Sequence, residues 1–405
     1  MKDPLGDAPP VESRRAVIGA VVTVAVLVAL CLLRPSATIT VIIALGIVAT
    51  VMLHEAGHLI GAKRGGMKAT EFFVGFGPRL WSFRRGETEY GLKAIPAGGY
   101  VRVIGMTNLE EVDEADEART YRRAPYGRKM VMILAGVTVN LLLAYLLTFT
   151  LLVGRGQDQV TTRVGAVVRP SPAYDAGLRP GDRIAAIDGT RIESWSQVAP
   201  IIQPAVGRTL RVVVVGRDGE RRTVTVTPET MSGVGRIGVS AAVDTVPVAP
   251  LPAVGRSFAV LGTGMRQTVG ALAPLFSPAG VEQYGRTVAD PGSKGALSEQ
   301  ERPRSVIGIV AEGGDLVGGD LWGVLGLLAA VNLFLALFNL IPLLPFDGGH
   351  ALVATYEAIA SRVRGRPVVV DQRRLMPVTA VVIGLILLLG ISTMYLDVRG
   401  LVTGG

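Results

Sequence analysis

Cysteine, histidine and charge are all scarce in this sequence, and each scarcity excludes something. The single cysteine, Cys31, rules out an internal disulfide, so cysteine usage says nothing about redox compartment. Three histidines among 405 residues restrict any imidazole-based centre to His54, His58 and His350. Charged residues make up only 18% of the chain and apolar residues 49%, and the mean hydropathy is +0.44. Those values argue against a wholly soluble protein and for an integral membrane protein with a soluble part. The net charge of +8 would suit nucleic acid or a membrane surface. The excess of Lys and Arg on cytoplasmic loops explains it better, so no nucleic-acid partner is expected. The hydrophobic spans show no repeated pattern, which disfavours a transporter.

What the sequence does hold is concentrated at Leu53-His54-Glu55-Ala56-Gly57-His58-Leu59, an H-E-x-x-H stretch that ends an apolar run beginning at Val41. On a helix, His54 and His58 fall one turn apart on one face, where two imidazoles can grip one zinc ion. Glu55, adjacent to them, is placed to take a proton from a water held there. Two histidines and a glutamate are costly at membrane depth, which marks them as functional candidates. The motif alone occurs by chance, and a zinc site needs a third protein ligand.

In chain order, residues 1–15 form a polar cytoplasmic tail and 16–33 an extra, uncleaved N-terminal span. Residues 37–60 form the span that carries H-E-x-x-H. Residues 61–129, dense in Lys and Arg, form a cytoplasmic loop with a β-hairpin region, Glu71–Phe83 and Glu89–Ile104, that turns at Arg85-Gly86-Glu87. The glycines of Gly75-Phe76-Gly77-Pro78 and Pro96-Ala97-Gly98-Gly99-Tyr100 serve either as turns or for close approach of a substrate backbone. Glu110–Glu117 is an acidic run expected on a solvated helix face. Residues 130–153 form the next span, in which Asn140 is expected to bond a neighbouring helix.

Residues 160–228 read as a small β-rich domain. Residues 229–320 read as an extracytoplasmic linker with an amphipathic helical stretch at Ser257–Phe276 and a mobile loop at Glu282–Arg304. Residues 321–348 form a span, 349–375 an arginine-rich cytoplasmic loop and 376–397 the C-terminal span. The fold class expected is therefore a polytopic α-helical membrane protein of about five spans.

The third ligand is sought at Asn339-Leu340-Ile341-Pro342-Leu343-Leu344-Pro345-Phe346-Asp347-Gly348-Gly349-His350. If the arginine-rich loops are cytoplasmic, the H-E-x-x-H span and this one run in the same direction. His54, His58 and Asp347 then lie near one membrane face at similar depth. Asp347 is preferred over the competing ligand His350, which lies further past the helix.

Two family resemblances follow. Ser171-Pro172-Ala173 through Ala176-Gly177-Leu178, Gly181-Asp182 and Ile187-Asp188-Gly189 resemble a PDZ domain of the bacterial protease type. Such a domain either binds an extended peptide by strand addition or acts as a steric filter. H-E-x-x-H in one span, N-x-x-P-x-x-x-x-D-G in a later one and the inserted PDZ domain resemble the site-2 protease family of intramembrane zinc metalloproteases, with the regulator-of-sigma-E type most similar. The resemblance implies a bacterial inner-membrane enzyme with an extracytoplasmic PDZ domain and an active site near the cytoplasmic side. It implies Zn2+ as the cofactor and cleavage of a single-span membrane protein, such as an anti-sigma factor, within the bilayer. It further implies that the Gly75–Pro78 region forms a membrane-associated hairpin that holds substrate as an added strand, and that Asn339 assists catalysis. Departures are Val137, where the family commonly has proline, and Phe346, where it commonly has leucine. The rival from another class is a catalytically silent membrane PDZ scaffold.

Overall fold

The computed structural model describes residues 35–403 apart from 108, 232–233, 276, 291–296, 298–302, 304, 306–307 and 310–319. The expected tail and first span therefore lie outside the described residues. In chain order the elements are α1 (Pro35–Arg64), β1 (Ala69–Arg85), β2 (Thr88–Val103), α2 (Tyr126–Gly154), β3 (Gln157–Val167), α3 (Pro172–Asp175), β4 (Arg183–Ile187), β5 (Thr190–Arg191), α4 (Val198–Ile202), β6 (Leu210–Val215) and β7 (Arg221–Val226). They continue with β8 (Glu229–Met231), β9 (Val234–Arg236), β10 (Val239–Val246), α5 (Pro250–Leu275), α6 (Pro278–Ala289), α7 (Leu321–Asn339), α8 (Asp347–Arg364) and α9 (Met376–Thr403). Leu152–Ala253 forms one compact unit and the other described residues another.

Among the described residues four helices are long and apolar enough to cross a membrane: Ala37–Arg64, Tyr126–Gly154, Leu321–Asn339 and Met376–Arg399. At 30 residues, α1 is about 45 Å long and outlasts a hydrocarbon core of about 30 Å. Lys63 and Arg64 close its last turn, where cations suit the helix dipole. Small residues set how closely α1 meets α2. A Cβ at Gly57 would lie 2.7 Å from the Ala135 carbonyl oxygen, and one at Gly61 2.8 Å from Met132 Cα. Gly57 and Gly61 thus form a G-x-x-x-G face that lets the two backbones touch. On another side of α1, Asn332 of α7 donates to Thr50 Oγ1 at 3.0 Å and to the Leu328 carbonyl at 2.8 Å. Ile43 and Val324 are buried where the same two helices meet.

β1 and β2 are long strands that each bend. Glu71–Val74 pairs on one side with Gly99–Arg102 and on the other with Glu89–Leu92, which in turn pairs with Trp81–Arg84. The result is four short segments made from two strands, antiparallel at both outer pairings and parallel where Glu71–Val74 meets Glu89–Leu92. Gly75, at φ 83°, makes one bend, and a Cβ there would lie 2.6 Å from the Ile95 carbonyl oxygen. Turn duty therefore suffices to explain that glycine.

Three local expectations are corrected. The acidic run Glu110–Glu117 is not a helix face: it is irregular up to a single 3-10 turn at Glu117–Arg119. Its carboxylates are drawn to fixed partners, Asp116 to Lys68, Glu110 to the Gly105 N–H at 2.7 Å and Glu117 to Arg122. The expected mobile loop from Glu282 begins inside α6, which Ser277 caps by accepting from the Gly280 N–H at 3.0 Å. The expected loop at 349–375 is largely helix α8, whose Ala354 is buried with Met132 and Tyr121 and whose end is capped by Gly365 at φ 65°. The apolar stripe of α8 outweighs its arginines as a structural determinant.

The second unit is an antiparallel sheet in the order β10-β3-β4-β6-β7, with β5 on β4. Its core is Val164, Ile184, Ile187, Leu210, Val212, Val214 and Val226, all at most 1% exposed. Asp188 and Gly189 both adopt positive φ, 46° and 81°, as the two-residue turn between β4 and β5 requires. An open groove of about 580 Å3 lies beside edge strand β7, lined by Pro172, Asp175, Thr223, Val224, Thr225 and Thr227.

Candidate metal centre

His54 and His58 sit in the last third of α1, 7% and 6% exposed. They face α2 at Gly136, where a Cβ would meet His58 Nε2 and lie 2.7 Å from His54 Cε1. Only glycine lets α2 pass over the two rings. His58 Nδ1 donates to the Met132 carbonyl at 2.9 Å, which fixes the tautomer and leaves Nε2 as the lone-pair atom.

Asp347 arrives by a sharp reversal. α7 stops at Asn339, the chain turns through Pro342 and Pro345, and Asp347 opens α8. The carboxylate therefore stands at the start of a new helix rather than at the end of the span, as the sequence suggested. Gly348 and Gly349 make this turn feasible: their Cβ atoms would lie 2.5 Å from the Ile341 and 2.6 Å from the Leu343 carbonyl oxygens.

The three side chains converge on one point. His54 Nε2 and His58 Nε2 are 3.1 Å apart, and Asp347 Oδ2 is 3.4 Å and 3.3 Å from them. Ligand bonds of about 2.0–2.1 Å in a tetrahedron have edges of about 3.3–3.4 Å, so these separations suit a zinc ion. Asp347 Oδ2 is buried without a hydrogen-bond partner among the described residues, a costly state that a cation would relieve. This is the one group of three or more His, Cys, Asp or Glu side chains among the described residues that could hold a metal ion.

Comparison with known proteins gives the family. Residues 42–387 match Peptidase family M50. The chain belongs to this family. Among similar proteins, the zinc metalloprotease Rip1 of Mycobacterium tuberculosis is 34% identical over 386 residues, covering 85% of this chain and 93% of its own length. The probable membrane metalloprotease ARASP2 of Arabidopsis thaliana is 29% identical over 341 residues, covering 80% of this chain and 72% of that protein. The PDZ domain of the SdrC-like protein from Listeria monocytogenes is 23% identical, with a TM-score of 0.19, and covers 21% of this chain and 90% of that one. Family membership makes zinc the cofactor and the M50 chain a membrane zinc metalloprotease.

A cavity of about 300 Å3 opens at the cluster, and Glu55, Asn339, Asn140 and His350 share its wall. Glu55 Oε2 accepts from the Val101 N–H at 3.2 Å, so strand β2 holds the carboxylate that follows His54. Asn339 is the last residue of α7. His350 lines the same cavity but lies outside the cluster of three. Asn140 is fully buried, and both its amide atoms lack a partner among the described residues. The expected bond to a neighbouring helix is not made. The sequence carried a sign of this arrangement that went unread: Gly136 and Asn140, four residues apart, share a helix face.

Proposed function

We propose that the chain is an intramembrane zinc endopeptidase of the site-2 type. His54, His58 and Asp347 hold the ion, and Glu55 and Asn339 serve the reaction. The observation that carries this reading is the near-tetrahedral spacing of three ligand atoms from apolar or membrane-adjacent helices, with a carboxylate not used in ligation beside them. Zinc, when bound, supplies Lewis acidity and an acidified water at its open position.

Glu55 Oε2 stays on the Val101 amide while Oε1 takes the proton of the attacking water and later returns it to the leaving amine. The Asn339 amide donates toward the carbonyl oxygen as charge builds there. A substrate helix has to unwind before its carbonyls are free to react, since within the bilayer they are otherwise engaged. The substrate class is a single-span membrane protein, an anti-sigma factor being one instance. The arginine-rich segments face the cytoplasm of a bacterial inner membrane, and the PDZ-like unit lies on the other side.

The test is zinc per chain in detergent-purified wild type, His54→Ala, Asp347→Ala and Glu55→Gln. About one zinc is expected in wild type and Glu55→Gln, and loss in the other two. Glu55→Gln is also expected to abolish cleavage of single-span proteins co-reconstituted in vesicles. A Glu55→Gln protein that cleaves sinks the mechanism, and retention of zinc by Asp347→Ala sinks the ligand set.

A further inference from the structure

Asn140 is the observation that the reading above leaves unused. Its side chain is 0% exposed, yet neither Nδ2 nor Oδ1 finds a partner among the described residues. A buried amide with donor and acceptor both unmet is a standing cost, so a native fold keeps one only where something else supplies the partners. The surroundings say what. Asn140 follows Gly136 by four residues on α2, which places it on the face that crosses His54 and His58 and about 6 Å further along the axis. It lines the same cavity as the ligand cluster and Glu55. Val51, Met132, Ile133 and Leu335 on that wall are apolar, and its polar residues Glu55, Asn339 and His350 make no hydrogen bond to Asn140.

A primary amide offers one acceptor and two donors in one plane, the complement of the C=O and N–H of a peptide unit. A substrate helix unwound at the site brings just such groups, freed from their own helix and without water to satisfy them. We infer that Asn140 is a substrate-positioning residue that pairs with the backbone of the extended substrate beside the scissile bond. This rests on the endopeptidase reading and adds the residue that grips the main chain. Recognition through the backbone is indifferent to side-chain sequence, so Asn140 contributes to holding any extended peptide.

The experiment measures binding rather than turnover. Zinc-loaded full chain in detergent is titrated with two probes, acetohydroxamate, which engages only the metal, and a dipeptidyl hydroxamate, which adds two backbone amides. Asn140→Leu keeps the bulk and removes both polar atoms. It is expected to weaken the dipeptidyl probe about tenfold, about 1.4 kcal/mol, to leave acetohydroxamate and zinc content unchanged, and to raise the ligand-free thermal midpoint. Higher stability with poorer peptide binding is what a purely structural asparagine would not give. Equal weakening of both probes, or no weakening of either, overturns the inference while leaving the protease reading intact. Failure of wild type to bind acetohydroxamate sinks the protease reading and the inference with it. Should Asn140→Leu not fold, Asn140→Ala is titrated in the same way and judged by the same two outcomes.

Discussion

Gly136→Ala adds one methyl group and is expected to cost the protein its metal while sparing its fold. A methyl carbon sits comfortably about 3.5–4.0 Å from a ring atom, but at Gly136 it would lie 2.7 Å from His54 Cε1 and nearer still to His58 Nε2. Something has to yield by about 1 Å. α2 cannot easily retreat, because Ala135 and Met132 are seated against Gly57 and Gly61. His58 cannot easily turn, because its Nδ1 is bonded to the Met132 carbonyl at 2.9 Å. Ligand distances tolerate only about 0.2 Å, so the strain falls on the metal geometry. Overpacking of this kind costs about 1–3 kcal/mol, which corresponds to roughly 5- to 150-fold in zinc affinity. Alanine also favours helix over glycine by about 1 kcal/mol, so helix content is expected to hold. The assay is zinc affinity by competition with a chromophoric chelator, with circular dichroism as the check on folding. Gly384→Ala in α9, where an added Cβ meets nothing within 4 Å, is the control. Gly136→Ala with zinc affinity within a factor of about two of the control, well inside the 1 kcal/mol lower bound, refutes the claim that α2 presses on the imidazoles.

Other outcomes are expected. Gly61→Leu pushes α2 off α1 and lowers zinc content although His54, Glu55 and His58 are untouched; unchanged zinc content would deny the role given to the G-x-x-x-G face. Asn332→Ala removes the bond to Thr50 Oγ1 and is expected to lower the thermal midpoint by an amount equivalent to about 0.6–1.7 kcal/mol; an unshifted midpoint would mean the bond contributes nothing. In the sheet-containing unit, Asp182 accepts from the Arg179 N–H at 2.8 Å and pairs with Arg222. Asp182→Ala is expected to cost about 1–3 kcal/mol, read as faster amide exchange at Arg179, and unaltered exchange there would contradict it.

The pairing of His54 and His58 was legible because helical periodicity is rigid: residues four apart must share a face, and these two do. Asp347 was legible only through topology, by asking which spans run in the same direction. Its seat on a fresh helix was not, because Pro342, Pro345, Gly348 and Gly349 read as the end of a span, and α8 declares itself only when Ala351 and Ala354 find Met132 and Tyr121. Gly57 and Gly61 went unread because the first stands inside H-E-x-x-H, where attention goes to the ligands. Asn140 was visible but misjudged: a lone amide in an apolar run says that it needs a partner and not which one. In the β-rich unit, β6 and β7 are short runs rich in β-branched residues, a strand signal plain in the sequence. The polar start of β3, Gln157-Asp158-Gln159, carries no apolar pattern and is strand only because β10 pairs with it from Val246 inward.

The order of the three clustered side chains along the chain has a consequence for synthesis. Asp347 leaves the ribosome roughly 290 residues after His54 and His58, behind the whole sheet-containing unit, a delay on the order of 15–60 s at about 5–20 residues per second. Throughout that interval the nascent chain has two imidazoles and a glutamate but lacks the carboxylate that completes the cluster. A cluster split in this way cannot assemble until α8 has followed α1 out of the ribosome, so whatever the three side chains do together they do only after the sheet-containing unit has been made.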